Sequence, residues 1–140
     1  MPTNAIEGGC LCRSIRYRIT GEPLARSLCH CQSCRRAAGA PSVAWIVVNR
    51  GDFACVAGDP VRFRSSPEVI RTFCGTCGTP LTYQHDDSPD TIDVTTATLD
   101  LPNAFPPTKE IWVEHKLAWV PLDERLPRYP QTSKPHGGNV

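Results

Sequence analysis

Short strand-like segments dominate the pattern of apolar and polar positions. Residues 14–20 alternate, with Ile15, Tyr17 and Ile19 on one face and Arg16 and Arg18 on the other. That is the period of a half-buried strand. Residues 42–48 are β-branched and aromatic and apolar on both faces, as expected of a strand inside a sheet. Residues 61–64, 69–73, 81–84 and 91–96 read as further strands between Gly, Pro or Asp turns. Segments 111–114 and 117–120 are expected to pair as a late hairpin. One helix is expected over 32–38, where Arg35, Arg36, Ala37 and Ala38 precede Gly39, a residue suited to the left-handed stop. A further helical turn is expected near 102–105. Pro127, Pro130 and Pro135 break up the C-terminus, and residues 131–140 read as a polar, mobile tail. No internal repeat or linker is visible. The pattern predicts an all-β, or β-rich, single domain over residues 1–130 with one short helix.

Composition narrows the class. A chain of 140 residues fits one domain with a real core. Lys plus Arg is 15 and Asp plus Glu is 14, so no field of either sign favours nucleic acid. The longest strongly apolar run, 43–48, is too short to span a membrane as a helix. Residues 1–9 show no basic segment followed by an apolar stretch, which predicts no signal peptide and a cytoplasmic protein.

The eight cysteines change the picture most. In a small secreted chain they would suggest disulfides. Their spacing argues otherwise. Cys10-Leu11-Cys12 is a CxC pair, Cys29-His30-Cys31-Gln32-Ser33-Cys34 is CxCxxC, and Cys74-Gly75-Thr76-Cys77 is CxxC followed by Gly78. Cys55 stands alone and is expected in the core. Thiolates this close reach one ion at about 2.3 Å, whereas disulfides at such spacing are strained. A redox CxxC usually opens a helix, which Gly75, Gly78 and Pro80 oppose. Cys10, Cys12, Cys74 and Cys77 make a full tetrahedral set for a structural zinc. Cys29, Cys31 and Cys34 supply three ligands, which leaves the open position of a catalytic zinc unless Cys55, His30, His85 or His115 closes it. If the segment is extended, the His30 ring points away from the metal its neighbours share.

At these residues the chain resembles the glutathione-dependent formaldehyde-activating family. The matching pieces are Gly9 to Cys12, Cys29 to Gly39 and Phe73 to Leu81. Later pieces are Thr91 to Val94, Asp100 to Pro107, Ile111-Trp112-Val113 and Leu126-Pro127. The likeness covers about residues 8–130. It implies a β-tent of folded antiparallel sheets and two zinc ions, divided between the cysteine sets as above. It also implies carbon–sulfur lyase or synthase activity joining glutathione to formaldehyde as S-(hydroxymethyl)glutathione. Where the family often carries a histidine, this chain has Glu110.

The expected partners are a small-molecule thiol, with glutathione as possible co-substrate, and a small aldehyde. Neither nucleic acid nor a membrane is expected, and the sequence leaves the oligomeric state open. Catalysis would rest on Cys29, Cys31 and Cys34, with His30 as a proton shuttle near neutral pH. Arg35, directly after Cys34, is the candidate for a substrate carboxylate; the bland reading makes Arg35 and Arg36 solvated helix residues. His85, beside Asp86 and Asp87, reads as a solvated turn residue. Trp45, Trp112 and Trp119 read as core aromatics. Ser33 and Thr76 read as hydrogen-bond donors rather than nucleophiles. The rival class is a non-enzymatic zinc-stabilised β-tent that binds a partner.

Overall fold

The computed structural model describes residues 5–133. Strands β1 (Ile6–Gly9), β2 (Arg16–Ile19) and β5 (Phe53–Ala57) form a three-stranded antiparallel sheet in the order β1-β2-β5. A seven-stranded sheet takes β3 (Ala25–Cys29), β4 (Val43–Asn49), β6 (Val61–Ser66), β7 (Val69–Phe73), β8 (Pro80–His85), β9 (Thr91–Thr95) and β10 (Glu110–Ile111). Its order is β10-β3-β4-β9-β8-β7-β6. All its pairs are antiparallel except β10, which lies parallel to β3. One α-helix, α1 (Gln32–Ala38), occurs among the described residues. The β-rich expectation is met, and neither sheet closes into a barrel.

Strand β4 explains the layering. It lies between β3 and β9, and its two faces enter different cores. Ile46 and Val48 pack with Ile15, Tyr17 and Ile19 of the small sheet and with Ile92, Val94 and Leu99. Val43 and Trp45, of opposite parity, pack with Cys29, Cys31, Cys34, Val69, Tyr83 and Ile111. Both faces of β4 are therefore dry, and alternation is absent from its sequence. Each fully buried side chain of this kind contributes roughly 1.5–3 kcal/mol.

Helix α1 runs over the expected residues. Cys31 is its N-cap, with its sulfur accepting from Cys34 N, and Gly39 ends it at φ 62. Gly39 N donates to Arg35 O at 2.7 Å. The left-handed backbone favours glycine because a Cβ there crowds the chain.

The late hairpin does not form. Ile111 instead pairs in parallel with Cys29, Trp112 turns into the left-handed region at φ 57, and Val113–His115 is a 3₁₀ turn. The extended chain cannot continue through that turn, and Leu117 to Val120 lies in turns closed by Val120 N donating to Leu117 O. The turn near 102–105 is a 3₁₀ turn, Pro102–Ala104. Cys55 is not in the core: it lies exposed on β5, an edge strand. Trp119 is 71% exposed rather than packed. His85 ends β8 rather than lying in a turn, and its side chain is only 13% exposed. Of the expected tail, Gln131 O accepts from Trp112 N and Ser133 Oγ accepts from Lys109 Nζ; residues 134–140 lie outside the described residues. No helix among the described residues is long and apolar enough to cross a membrane.

Candidate metal centres

The first centre joins the two sheets. Cys10 and Cys12 lie in the β1–β2 loop, where Cys10 N donates to Ile15 O and Arg13 N to Cys10 O. Cys74 and Cys77 lie in the β7–β8 loop, where Gly78, at φ 81, donates its N–H back to Cys74 O at 2.8 Å. Leu11 N donates to Thr79 Oγ1, tying the loops together. The four sulfurs lie within 4.8 Å of one another. Cys10 to Cys12 is 3.6 Å and Cys12 to Cys74 is 3.8 Å. Four sulfurs at about 2.3 Å from one zinc stand roughly 3.8 Å apart at tetrahedral angles, so the spacing fits that ion.

The surroundings fit thiolate. The amides of Thr76 and Cys77 donate to Cys74 Sγ at 3.3 and 3.4 Å, and Ile15 N donates to Cys10 Sγ at 3.3 Å. Ser14 Oγ lies 3.1 Å from Cys12 Sγ and 3.3 Å from Cys74 Sγ. Thr79 Oγ1 lies 3.2 Å from Cys77 Sγ. Donation from Ser14 above all, then from the Cys77 amide, lowers the Cys74 thiol to about 5. Donation from Thr79 lowers Cys77 to about 7. Hydrogen bonds to the charged form favour it.

The second centre lies on the opposite face of the large sheet. Cys29 ends β3, Cys31 caps α1, and Cys34 is in the first turn of α1. All three are buried and their sulfurs lie within 4.8 Å of one another. Donation by the Cys29 and Cys34 thiols lowers Cys31 to about 3, and the same closeness drives Cys29 strongly upward. The three sulfurs thus compete for negative charge, and a cation among them is what would allow all three to ionise. Among the described residues no fourth ligand atom joins this group.

His30, between two of these cysteines, is fully buried, and its Nε2 donates to Glu110 Oε1 at 2.7 Å. Glu110 Oε2 accepts from Asp123 N at 2.6 Å. His30 N also donates to Ile111 O. The pair locks the strand end that carries Cys29 and Cys31 to β10 and the segment after it. Ser33 does not bond to sulfur; among the described residues the hydroxyl donors to cysteine sulfur are Ser14 and Thr79. Arg71, on β7, was not legible as a site residue, yet its Nη2 lies 3.7 Å from Cys34 Sγ and its guanidinium sits over the Tyr83 ring at 4.9 Å. A basic residue flanked by Val69, Ile70 and Phe73 in a strand pattern is the available signal.

A cavity of about 900 Å³ opens against Cys31. Trp45, Tyr83 and Trp112 wall it, and Arg36 and Arg71 reach it; Arg35 is not in its wall. His85 and His115 also line it. His85 belongs to a third group, with Glu68 and Asp87, whose ligand atoms lie within 4.8 Å. There Nδ1 accepts from Asp87 N at 3.1 Å and Nε2 faces Glu68 at 3.4 Å, so both ring nitrogens are engaged within the group.

The chain is similar to several known proteins. An uncharacterised lyase of Schizosaccharomyces pombe is 31% identical over 86 residues, covering 56% of this chain and 57% of that protein. A protein of Halomonas elongata, described as a putative glutathione-dependent formaldehyde-activating enzyme, is 25% identical over 130 residues, covering 86% and 82%. The chain thus spans little over half of the fission-yeast relative. A Rhodobacter sphaeroides protein of known crystal structure shares the fold, with a TM-score of 0.57 at 23% identity over 67% of this chain and 87% of that one. Residues 5–115 match the description "Glutathione-dependent formaldehyde-activating enzyme", and the chain belongs to that family.

Proposed function

We propose that the protein is a zinc-dependent carbon–sulfur lyase or synthase that joins a small thiol to formaldehyde or a similar aldehyde. The observation that carries this reading is the three-cysteine centre, which offers three ligands and faces a cavity large enough for a small molecule. Cys29, Cys31 and Cys34 would hold the reactive zinc. Cys10, Cys12, Cys74 and Cys77 would hold a second, structural zinc. Zinc bound at the three-cysteine set supplies Lewis acidity, which favours the thiolate form of a substrate thiol and polarises an aldehyde oxygen.

The reaction balances without a redox partner. The thiol sulfur attacks the carbonyl carbon, a carbon–sulfur bond forms, and the thiol proton ends on the carbonyl oxygen. The reverse breaks that bond. Trp45, Tyr83 and Trp112 shield the reacting atoms from water. Arg71 holds a fixed positive charge 3.7 Å from Cys34 Sγ, which offsets the negative charge gathered by three thiolates. His30 acts as a positioning residue through Glu110 rather than from the cavity wall.

Elemental analysis is expected to find about two zinc ions per chain, one for each cysteine set. With glutathione and formaldehyde, exchange spectroscopy should show faster thiohemiacetal exchange with the protein than without it. Cys31→Ser should retain the fold, lose the second zinc and lower the acceleration by about 100-fold or more. Cys74→Ser should lose the structural zinc and destabilise the fold far more than Cys31→Ser does. Unchanged exchange in the wild type with glutathione and with a mercaptocarboxylate alike, or two variants that unfold alike, would overturn this reading.

A further inference from the structure

The charge of the cavity selects among thiols. Among its described lining residues there are two arginines, Arg36 and Arg71, and no Asp or Glu. The nearby carboxylates are already engaged and wet. Glu68 and Asp87 face the two ring nitrogens of His85 at 3.4 and 3.8 Å and are each 61% exposed; Glu114 faces His115 at 3.6 Å and is 41% exposed. Asp93 is buried and stands opposite Tyr83 in the strand register, outside the cavity wall.

We propose that this cavity takes an apolar thiol that carries a carboxylate and no ammonium group, held by Arg71 with Arg36 as a second cation. The inference rests on the reading of the three-cysteine centre as the place where a thiol binds, and it narrows which thiol. A carboxylate entering the cavity exchanges water for a guanidinium that recognises its two oxygens. An ammonium entering the same space leaves water and meets no carboxylate in the wall, and the Cys31 sulfur there would be taken up by zinc. Aromatic faces can hold ammonium ions, but the Tyr83 face already carries the Arg71 guanidinium, and two arginines repel a further cation. Trp45, Phe63, Val69 and Trp112 give the cavity an apolar body, which rewards a hydrocarbon substituent rather than a peptide. Arg71 lies beside the sulfurs, so the carboxylate and the thiol of the ligand stand a few bonds apart. Glutathione, with its ammonium group and peptide amides, matches this wall less well than an aryl-substituted mercaptocarboxylate does.

The test separates this selectivity from the lyase reading. The zinc-loaded protein is titrated with 2-mercapto-3-phenylpropanoate, its methyl ester and glutathione. It is also titrated with two probes that lack a thiol, 3-phenylpropanoate and 2-phenylethylammonium. Binding is read by calorimetry and by NMR shifts of the tryptophan indoles. The mercapto acid is expected to bind at least tenfold tighter than its ester and than glutathione. Phenylpropanoate should bind saturably and phenylethylammonium should not. Arg71→Gln should erase the difference between acid and ester; Arg36→Gln should narrow it, and serves if the first variant does not fold. Equal affinity of acid and ester, or binding of phenylethylammonium as tight as that of phenylpropanoate, overturns the inference, and so does a preference unmoved by both variants. Carboxylate selectivity without aldehyde turnover would sink the lyase reading and leave this one standing, whereas turnover of glutathione without that selectivity would do the reverse.

Discussion

At the scale of single residues, the site divides into groups joined by local spacing and groups joined only by the fold. The CxC, CxCxxC and CxxC sets are local, so their chemistry is legible without coordinates. Their partners are not. Ser14 meets Cys74 from 60 residues away, Arg71 meets Cys34 from 37, and His30 meets Glu110 from 80. No periodicity links such positions. Glu110 gives the sharpest residue-level prediction. Its carboxylate accepts from two donors, His30 Nε2 and Asp123 N. Glu110→Ala would strand both, and each buried donor left unmet costs about 1–3 kcal/mol. Destabilisation of about 2–6 kcal/mol is therefore expected in urea unfolding, with Glu110→Gln recovering only about half of it, because its one amide oxygen accepts from one of the two donors while its NH2 meets the other. A loss under about 0.5 kcal/mol for the alanine variant would show that water replaces the carboxylate at both donors.

At the scale of elements, agreement between sequence and structure follows the local pattern of each segment rather than its burial: the wholly exposed β6 matches an expected strand and the partly buried β3 does not. Strand β7 and helix α1 match the expected limits residue for residue, because β7 is bounded by turns and α1 by a cap and a glycine. Strands β1, β3 and β5 lie outside the expected set: Ile-Glu-Gly-Gly, Ala-Arg-Ser-Leu-Cys and Phe-Ala-Cys-Val-Ala carry little apolar alternation, and tertiary pairing makes them strands. The late hairpin failed at one residue, since the left-handed Trp112 diverts the chain. Helix α1 offers a clean test of a local signal. At Gly39 nothing beyond its own chain neighbours and helix backbone lies within 4 Å of the place a Cβ would take, so a substitution there meets local backbone strain and no tertiary clash. Gly39→Ala should cost roughly 1–2 kcal/mol in thermal or urea unfolding, and Gly39→Asn distinctly less. Equal losses for the two would mean that the helix end relaxes out of the left-handed region.

At the scale of the whole molecule, the four-cysteine centre links two sheets that share one core, and this makes the pH and metal dependence of folding predictable. Cys74 and Cys77 stand at about 5 and about 7 in the folded protein against an ordinary 9.0. A thiol lowered on folding stabilises the fold fully above its unfolded value and loses that contribution as pH falls through the folded one. Stability should therefore decline from pH 9 toward pH 5, the same direction in which protons displace a metal from thiolates. Chelation isolates the metal's share. A link between Cys12 and Cys74 closes a loop of 62 residues. By analogy with a covalent cross-link, losing such a closure costs about 4 kcal/mol. The loss should be uneven, because β4 and β9 are held from both faces whereas the small sheet is tied to the rest by its core and by this centre. After exhaustive chelation at neutral pH, hydrogen exchange should quicken first in β1, β2 and β5, while β4 and β9 stay protected until global unfolding. Uniform loss of protection would mean that the centre supports both sheets alike. No change would mean that the four sulfurs hold their loops through the Ser14, Thr79 and amide hydrogen bonds alone.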